Sequence, residues 1–418
     1  MVRYCYDNIR EHFLDRSERV LLWGPPCVGK SYLLRNLQDS CGGSYVTVDL
    51  TIDRDFRSVL SKSLAEGKSL CDCVSEFFGI SAETVKHVLY VFLDGTEILK
   101  DSINVLLARD LPEHMALTTS RIDYFDIFRI GKENVLVPIN VSVLSFCEFL
   151  DAVTEGAELS YTDLLRAHSQ NHRPLPGLFD DELRELFHDY LLFGGYPEAV
   201  LQYKNSKTDL TDLRRVHGMI FSATIMRYLN DAPADVGTLK IRQLFSYLGE
   251  YAEDCRGRFH PGRIRRGAQA DEFQKEIKYL TDNGVLIPIC QDGEIHRFEI
   301  ADCGLLRFTA NDYDVFYNAE SNETLPEYFY LNYLNGVLYR KGFPVSVRKC
   351  GRQFFLSDKD GTVIFRHSLR EKTLRNQNAE KDFSKKEPFS VYMLTDRKNS
   401  GQKSDHNIQY YFLEQTQF

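Results

Sequence analysis

The chain has 418 residues, a formal charge of −9, 43% hydrophobic and 27% charged residues. That balance is ordinary for a soluble globular protein, and the length is too great for one hydrophobic core. The negative charge excludes a protein that coats nucleic acid through bulk positive charge, leaving only a local basic patch for that purpose.

No apolar run approaches the roughly 20 residues of a membrane span. The start, Met1-Val2-Arg3-Tyr4-Cys5-Tyr6-Asp7, carries no signal-peptide core, so a cytoplasmic protein with no membrane contact is expected. Cysteines are scattered, and the one close pair, Cys71-Asp72-Cys73, has no second pair or neighbouring histidines. Reduced, buried thiols are expected there rather than zinc.

Arg19-Val20-Leu21-Leu22-Trp23 is an apolar run suited to one buried strand. Gly24-Pro25-Pro26-Cys27-Val28-Gly29-Lys30-Ser31 follows at once and matches G-x-x-x-x-G-K-[ST]; apolar residues at helical spacing come next, from Tyr32 to Leu37. The two glycines let the backbone curl so that successive N–H groups face phosphates, and the next helix adds its positive end. Lys30 suits the β- and γ-phosphates, and the Ser31 hydroxyl suits magnesium. ATP with Mg2+ is therefore the expected ligand, held by residues 24–32 with Ser31 and Asp94 on the metal.

Three further strands are predicted: Tyr45 to Asp49, Val88 to Leu93, and Met115 to Thr118. The second of these ends in Asp94 and reads as a Walker B strand, its carboxylate facing the phosphate loop. The last ends in Thr119-Ser120-Arg121, where Ser120 is a candidate for sensing the γ-phosphate. Arg121 reads equally as a phosphate contact or a salt-bridge residue. Many such ATPases place a glutamate directly after the aspartate to orient the attacking water. Here that position is Gly95, and Glu97 either substitutes for it as the catalytic carboxylate or is a solvated loop residue. Gly95→Glu is then a candidate for raising turnover.

The chain resembles the prokaryotic AAA-type ATPases that carry a conserved C-terminal domain of unknown function. The phosphate loop and Phe92-Leu93-Asp94 contribute to the resemblance. So do Leu144-Ser145-Phe146-Cys147-Glu148-Phe149-Leu150, similar to Pro-Leu-Ser-Phe-x-Glu-Phe-Leu, and Gly194-Gly195-Tyr196-Pro197-Glu198, similar to Gly-Gly-Tyr-Pro-Glu. A late Asp-x-Gly-Leu motif is matched at Asp302-Cys303-Gly304-Leu305, and the likeness fades beyond about residue 335. Read from the residues alone, Ser145 and Glu148 form a capping box, and Gly194 to Pro197 form a turn ending a helix from Glu182 to Leu192.

Helices are expected from Asp209 to Leu229, from Leu239 to Leu248 and from Asp271 to Asn283. A hairpin follows, with strands at 285–289 and 295–300. Helices followed by a hairpin are the layout of a winged helix, which the resemblance also implies. Arg256, Arg258, Arg263, Arg265 and Arg266 make this stretch the best candidate for touching DNA or RNA; a solvated loop, or arginines reaching the nucleotide or another domain, is the other reading. Beyond residue 311 a helix from Leu325 to Arg340 and strands at 345–348, 353–356, 362–365, 391–394 and 410–413 are expected.

The resemblance implies a restriction-endonuclease-like fold for this last part. Gln353-Phe354-Phe355-Leu356 and Thr362-Val363-Ile364-Phe365 lack the carboxylates that such a site needs for magnesium, so a scaffold or binding surface is expected there. The fold class read here is α/β: a doubly wound P-loop domain at 1–150, a helical region at 151–235, a winged helix at 236–310, and a degenerate α/β domain at 311–418. The expected function is a slow ATPase or nucleotide-dependent switch engaging an unidentified protein partner. The alternative is a DNA-binding protein whose nucleotide is mainly structural.

Overall fold

The computed structural model describes residues 3–100, 102–125, 136–155, 160–169, 177–206, 209–252, 258–291, 294–313, 325 and 327–341, together with strands up to residue 409. The first part is a parallel sheet of β1 (Arg19–Trp23), β2 (Tyr45–Asp49), β3 (Tyr90–Asp94), β4 (His114–Thr119) and β5 (Leu136–Asn140), in the order β2-β3-β4-β1-β5. Helices α1 (Cys5–Arg10), α2 (Lys30–Ser40), α3 (Arg54–Ala65), α4 (Leu70–Phe78), α5 (Ala82–His87) and α6 (Ser102–Leu107) connect and cover it. On β1, Val20 and Leu22 enter one core and Leu21 the other, which is why that strand reads as an unbroken apolar run.

The sequence reading passes over β5. It is five residues long and contains Pro138, which donates no ladder hydrogen bond; accordingly β5 lies at the edge of the sheet, beside β1 alone. Strand β3 begins at Tyr90 rather than Val88, because Val88 closes helix α5 and is 61% exposed.

Next come α7 (Phe146–Val153), α8 (Tyr161–Ser169), α9 (Gly177–Phe193), α10 (Pro197–Asn205) and α11 (Leu210–Asn230), then α12 (Thr238–Glu250), α13 (Pro261–Ile264) and α14 (Gln274–Asp282). The capping box on α7 forms as expected, with Ser145 Oγ accepting from Glu148 N at 3.2 Å and Glu148 Oε2 accepting from Ser145 N at 2.9 Å. Helix α9 ends at Gly194, whose φ of +79° suits a residue without Cβ, and Pro197 opens α10 rather than merely stopping α9.

After α14, β6 (Leu286–Gln291) and β7 (Glu294–Ile300) form an antiparallel hairpin. They are followed by α15 (Cys303–Ala310), α16 (Glu327–Arg340) and strands β8 (Val345–Val347), β9 (Gln353–Asp358), β10 (Gly361–Ser368), β11 (Phe389–Thr395) and β12 (Asn407–Gln409). These seven strands make one sheet, β12-β11-β10-β9-β8-β6-β7, so the hairpin is continuous with the C-terminal strands through Cys290 opposite Ser346. The strand expected at 410–413 lies outside the described residues. Helix α16 packs into a cluster of buried residues that extends from Ile9 to Leu338 and includes Val20 and Leu22 of β1.

Candidate nucleotide site

Strand β1 stops at Trp23 and the chain loops back into α2. Gly24 has a φ of +154°, and a Cβ there would lie 2.0 Å from the Val141 carbonyl oxygen; Gly29, at +94°, begins the helix. Cys27 sits in the left-handed region at +65°. Arg3 braces the loop from behind, donating to Val28 O at 2.7 Å and Ser142 O at 2.6 Å while its Nε meets Glu148 Oε1 at 3.1 Å.

In front of the loop is a cavity of about 730 Å³ whose lining includes Pro26, Cys27, Gly29, Lys30, Ser31, Asp94, Glu97 and Ser120. Gly24, Pro25 and Val28 shape the loop without lining the cavity, and Tyr32, 46% exposed, also falls outside it. The Lys30 ammonium donates to Gly24 O at 2.8 Å and Pro25 O at 2.7 Å. Burial lowers its pKa to about 8, although the charges of Glu97 and Asp94 oppose that shift.

The acidic side of the cavity is organised by Thr118. Its hydroxyl donates to Asp94 Oδ1 and accepts from Gly95 N at 2.9 Å, and its carbonyl accepts from the Thr96 hydroxyl at 2.7 Å. Glu97 is no solvated loop residue: it is 3% exposed, accepts from Ser120 N at 3.2 Å and lies 3.5 Å from the Arg227 guanidinium. Gly95 has a φ of +73°, and a Cβ there would meet Thr51 Cγ2 at 2.5 Å. A side chain at that position is therefore obstructed, so a Gly95→Glu variant would require Thr51 to move.

Among the lining residues that the sequence reading missed, Asp49 and Arg227 bear most on the chemistry. Asp49 stands opposite Asp94 in the β2–β3 register and adds a second carboxylate, tied by its Oδ1 to Thr51 N at 2.8 Å. Arg227 arrives from α11 and is the cation facing Glu97. Arg121 takes its salt-bridge reading: it is fully buried, ion-paired to Asp123 at 2.7 Å, bonded to Asp231 O, and sandwiched between Tyr124 and Tyr279 at 4.0 and 4.5 Å.

Three of the motif segments meet behind the site. Leu144 N donates to Gly195 O at 2.6 Å, and Asp302 accepts from Gly195 N and Leu305 N, both at 2.8 Å. A Cβ on Gly194 would lie 2.5 Å from Asp302 Oδ1, and one on Gly195 would lie 2.2 Å from Leu144 O. Burial lifts the Asp302 carboxyl to about 6 against the pull of these N–H donors. This joint delivers Pro197 and Glu198 to the cavity.

Of the basic residues, Arg256 lies outside the described residues, and Arg258, Arg263, Arg265 and Arg266 are exposed. Arg265 is ion-paired with Glu272, and Arg263 stacks on Tyr251 at 4.5 Å. None of these four lines the nucleotide cavity.

No family model matches the chain, and no curated protein matches it. Among solved structures it is similar to a Walker-type ATPase of Pyrococcus abyssi, with 15% identity over 74% of this chain and 95% of that one and a TM-score of 0.46. It is also similar to the RuvB Holliday junction branch migration motor of Thermotoga maritima, with 13% identity over 72% and 92% and a TM-score of 0.33. A third is Drosophila ORC bound to DNA, with 14% identity over 70% and 90% and a TM-score of 0.29. The fold is α/β, a parallel five-stranded P-loop ATPase domain with helices. That assignment rests on the chain's own sheet order and on the phosphate loop at the end of its β1 strand. Among the described residues no helix is long and apolar enough to cross a membrane.

Proposed function

We propose that this chain binds ATP with magnesium in the 730 Å³ cavity and works as a slow ATPase or nucleotide-dependent switch. One observation carries the reading: Lys30, Ser31, Asp94, Glu97, Ser120 and Arg227, drawn from four separate segments, line a single cavity beside a glycine loop. The residues fit the ligand. The loop glycines leave the backbone bare where phosphates approach, Lys30 supplies mobile positive charge, and the Ser31 hydroxyl with the Asp94 carboxylate provides oxygen donors for magnesium. Bound magnesium supplies charge neutralisation on the phosphates.

Glu97 is the candidate to orient the attacking water, held at one oxygen by Ser120 N and balanced at the other by Arg227. That pairing keeps the carboxylate engaged, which supports slow turnover. Arg227, one-third exposed, can instead face phosphate, so the nucleotide competes with Glu97 for it.

The segments at 236–310, read as a winged helix, and at 311–418, read as a degenerate nuclease-like scaffold, engage the partner. Turnover of ATP by purified protein, with and without duplex DNA, tests the reading. Hydrolysis abolished by Lys30→Ala supports it, and no hydrolysis under either condition favours the DNA-binding alternative. In that alternative the exposed arginines at 258, 263, 265 and 266, with Arg256, carry salt-dependent affinity that their charge reversal removes.

A further inference from the structure

Glu97 is held at both oxygens, and the two groups that hold it are tied to each other. Its Oε2 accepts from Ser120 N at 3.2 Å, and its Oε1 lies 3.5 Å from Arg227 Nη1. The carbonyl of the same Ser120 accepts from the Tyr228 hydroxyl at 3.1 Å, and Tyr228 directly follows Arg227 on α11. The contacts therefore close a circuit that runs from Glu97 through Ser120, Tyr228 and Arg227 back to Glu97. Ser120, the residue after β4, fixes the carboxylate through its N–H and the helix through its C=O.

The Tyr228 side of this circuit is rigid. Tyr228 is fully buried, its ring stands edge-on to Tyr279 at 5.7 Å, and its own carbonyl accepts from the Tyr279 hydroxyl at 3.1 Å. Burial pushes its phenol well above the ordinary value, so the hydroxyl stays protonated and remains a donor. Arg227 is the looser member. Its side chain is one-third exposed and lines the nucleotide cavity. Its 3.5 Å from Glu97 exceeds the roughly 2.7–2.9 Å of a closed charge-assisted bond. Asp231, its other carboxylate neighbour, is farther away at 3.8 Å. Where α11 stands against Ser120 therefore decides how readily the guanidinium can leave Glu97.

We infer that Tyr228 is a positioning residue: through Ser120 it holds α11 so that Arg227 stays beside Glu97, and it thereby limits how far Arg227 can turn to the terminal phosphate of a bound nucleoside triphosphate. This role rests on the nucleotide reading above and adds to it a restraint on the site. A terminal phosphate carries more charge than one carboxylate, so Arg227 released from the tether moves towards it. A diphosphate lacks that group. The tether therefore weighs on the triphosphate and not on the diphosphate.

Labelled ADP bound to full-length protein with magnesium is displaced by unlabelled ADP or by a β,γ-imido analogue of ATP, and the ratio of the two affinities is read. Tyr228→Phe removes the hydroxyl and keeps the ring. It should raise the preference for the triphosphate analogue at least about fivefold, with ADP affinity within about threefold of the parent. In an Arg227→Gln background the same change should add nothing, because the group it releases is gone. Tyr279→Phe takes away the donor to the Tyr228 carbonyl on the same turn. It should shift the ratio in the same direction, and it serves if Tyr228→Phe does not fold.

An unchanged ratio in the folded tyrosine variant, or a gain that survives Arg227→Gln, overturns the role. So does an equal loss of affinity for ADP and analogue, which is what a tyrosine that only supports the fold would give. A parent protein that binds neither ADP nor the analogue strikes the nucleotide reading itself, and this role with it.

Discussion

Replacing Gly95 separates two costs that the structure places at one backbone position. The residue lies at φ +73°, where an L side chain is strained, and a Cβ there would sit 2.5 Å from Thr51 Cγ2. Left-handed backbone without glycine costs on the order of 1 kcal/mol, and forcing a methyl into occupied space adds about 1–3 kcal/mol. Thr51 cannot swing aside freely, because its hydroxyl donates to Asp49 Oδ1 at 2.6 Å and its N–H to the same oxygen at 2.8 Å. Gly95→Ala should therefore destabilise the protein by about 2–4 kcal/mol in urea unfolding. Thr51→Ser removes the obstructing methyl and keeps the hydroxyl, so the pair Gly95→Ala/Thr51→Ser should recover the steric part and leave the backbone part of about 1 kcal/mol. Gly95→Glu should fall at least as far as alanine and fail to raise ATP turnover. A Gly95→Ala protein as stable as the parent, or no recovery from Thr51→Ser, would refute the argument. Faster hydrolysis by Gly95→Glu would show that the glutamate's ordinary place is open after all.

Lys30→Ala should weaken magnesium-ATP binding severely from an affinity of micromolar or better, about −8 kcal/mol, as measured by calorimetry; equal binding would sink the nucleotide assignment. Glu97→Gln should lower turnover by about 10²–10⁴-fold with nucleotide binding retained, the loss expected of a general base; an unchanged rate would leave Glu97 a structural partner of Arg227. His217 is buried between Tyr313 OH at 2.7 Å and Phe193 O at 2.9 Å, and burial lowers its pKa from 6.5 to about 4. The unfolded chain then binds the extra proton between those values. Stability should therefore fall as pH drops from about 6.5 towards 4, by up to about 3 kcal/mol, and His217→Gln should flatten that part of the profile.

The parts of the fold legible in the sequence are those where local chemistry and tertiary position agree. Strands β1 to β4 announce themselves because a buried parallel sheet demands apolar runs, and α11 and α12 because their apolar residues recur at helical spacing. Strand β5 is silent because an edge position tolerates Pro138 and asks for little hydrophobic pattern. The glycine loop, Asp94 and Ser120 are legible as neighbours because the G-x-x-x-x-G-K-S pattern after a strand fixes its own residue types, and the ends of parallel strands lie beside it. Arg227 is not, since nothing in Met226-Arg227-Tyr228 says that α11 crosses the cavity. An aspartate closing a strand and bonded to Thr51 N gives no hint that the β2–β3 register sets Asp49 beside Asp94. Arg121 shows the converse. Its place after a strand end suggests phosphate, yet two aromatic faces and Asp123 take the charge into a buried clamp.

The motif segments that mark the chain's resemblance gain a physical reason from their meeting point. Helix α9 must stop where Asp302 and Leu144 approach, and both approaches are closer than any side chain permits, so two glycines stand in succession at 194 and 195. Asp302 is tolerated in the core because it accepts from Gly195 and Leu305, capping α15 in the process. Once that joint is fixed, Pro197 starts α10 at the rim of the phosphate cavity. Helix α11 is then anchored through His217 to Phe193 O at the end of α9, and three turns further on it carries Arg227 to Glu97. At the far end of α11, Tyr228 donates to Ser120 O at 3.1 Å and Asp231 O takes up Arg121, so the strand that bears Ser120 and the helix that bears Arg227 cannot shift independently. Tyr279 of α14 closes the same clamp, stacking on Arg121 and donating to Tyr228 O at 3.1 Å. Under the proposed function, a rearrangement of Arg227 towards phosphate would load the contacts that hold α14 and its hairpin, giving nucleotide occupancy a mechanical route to the segments proposed to meet a partner.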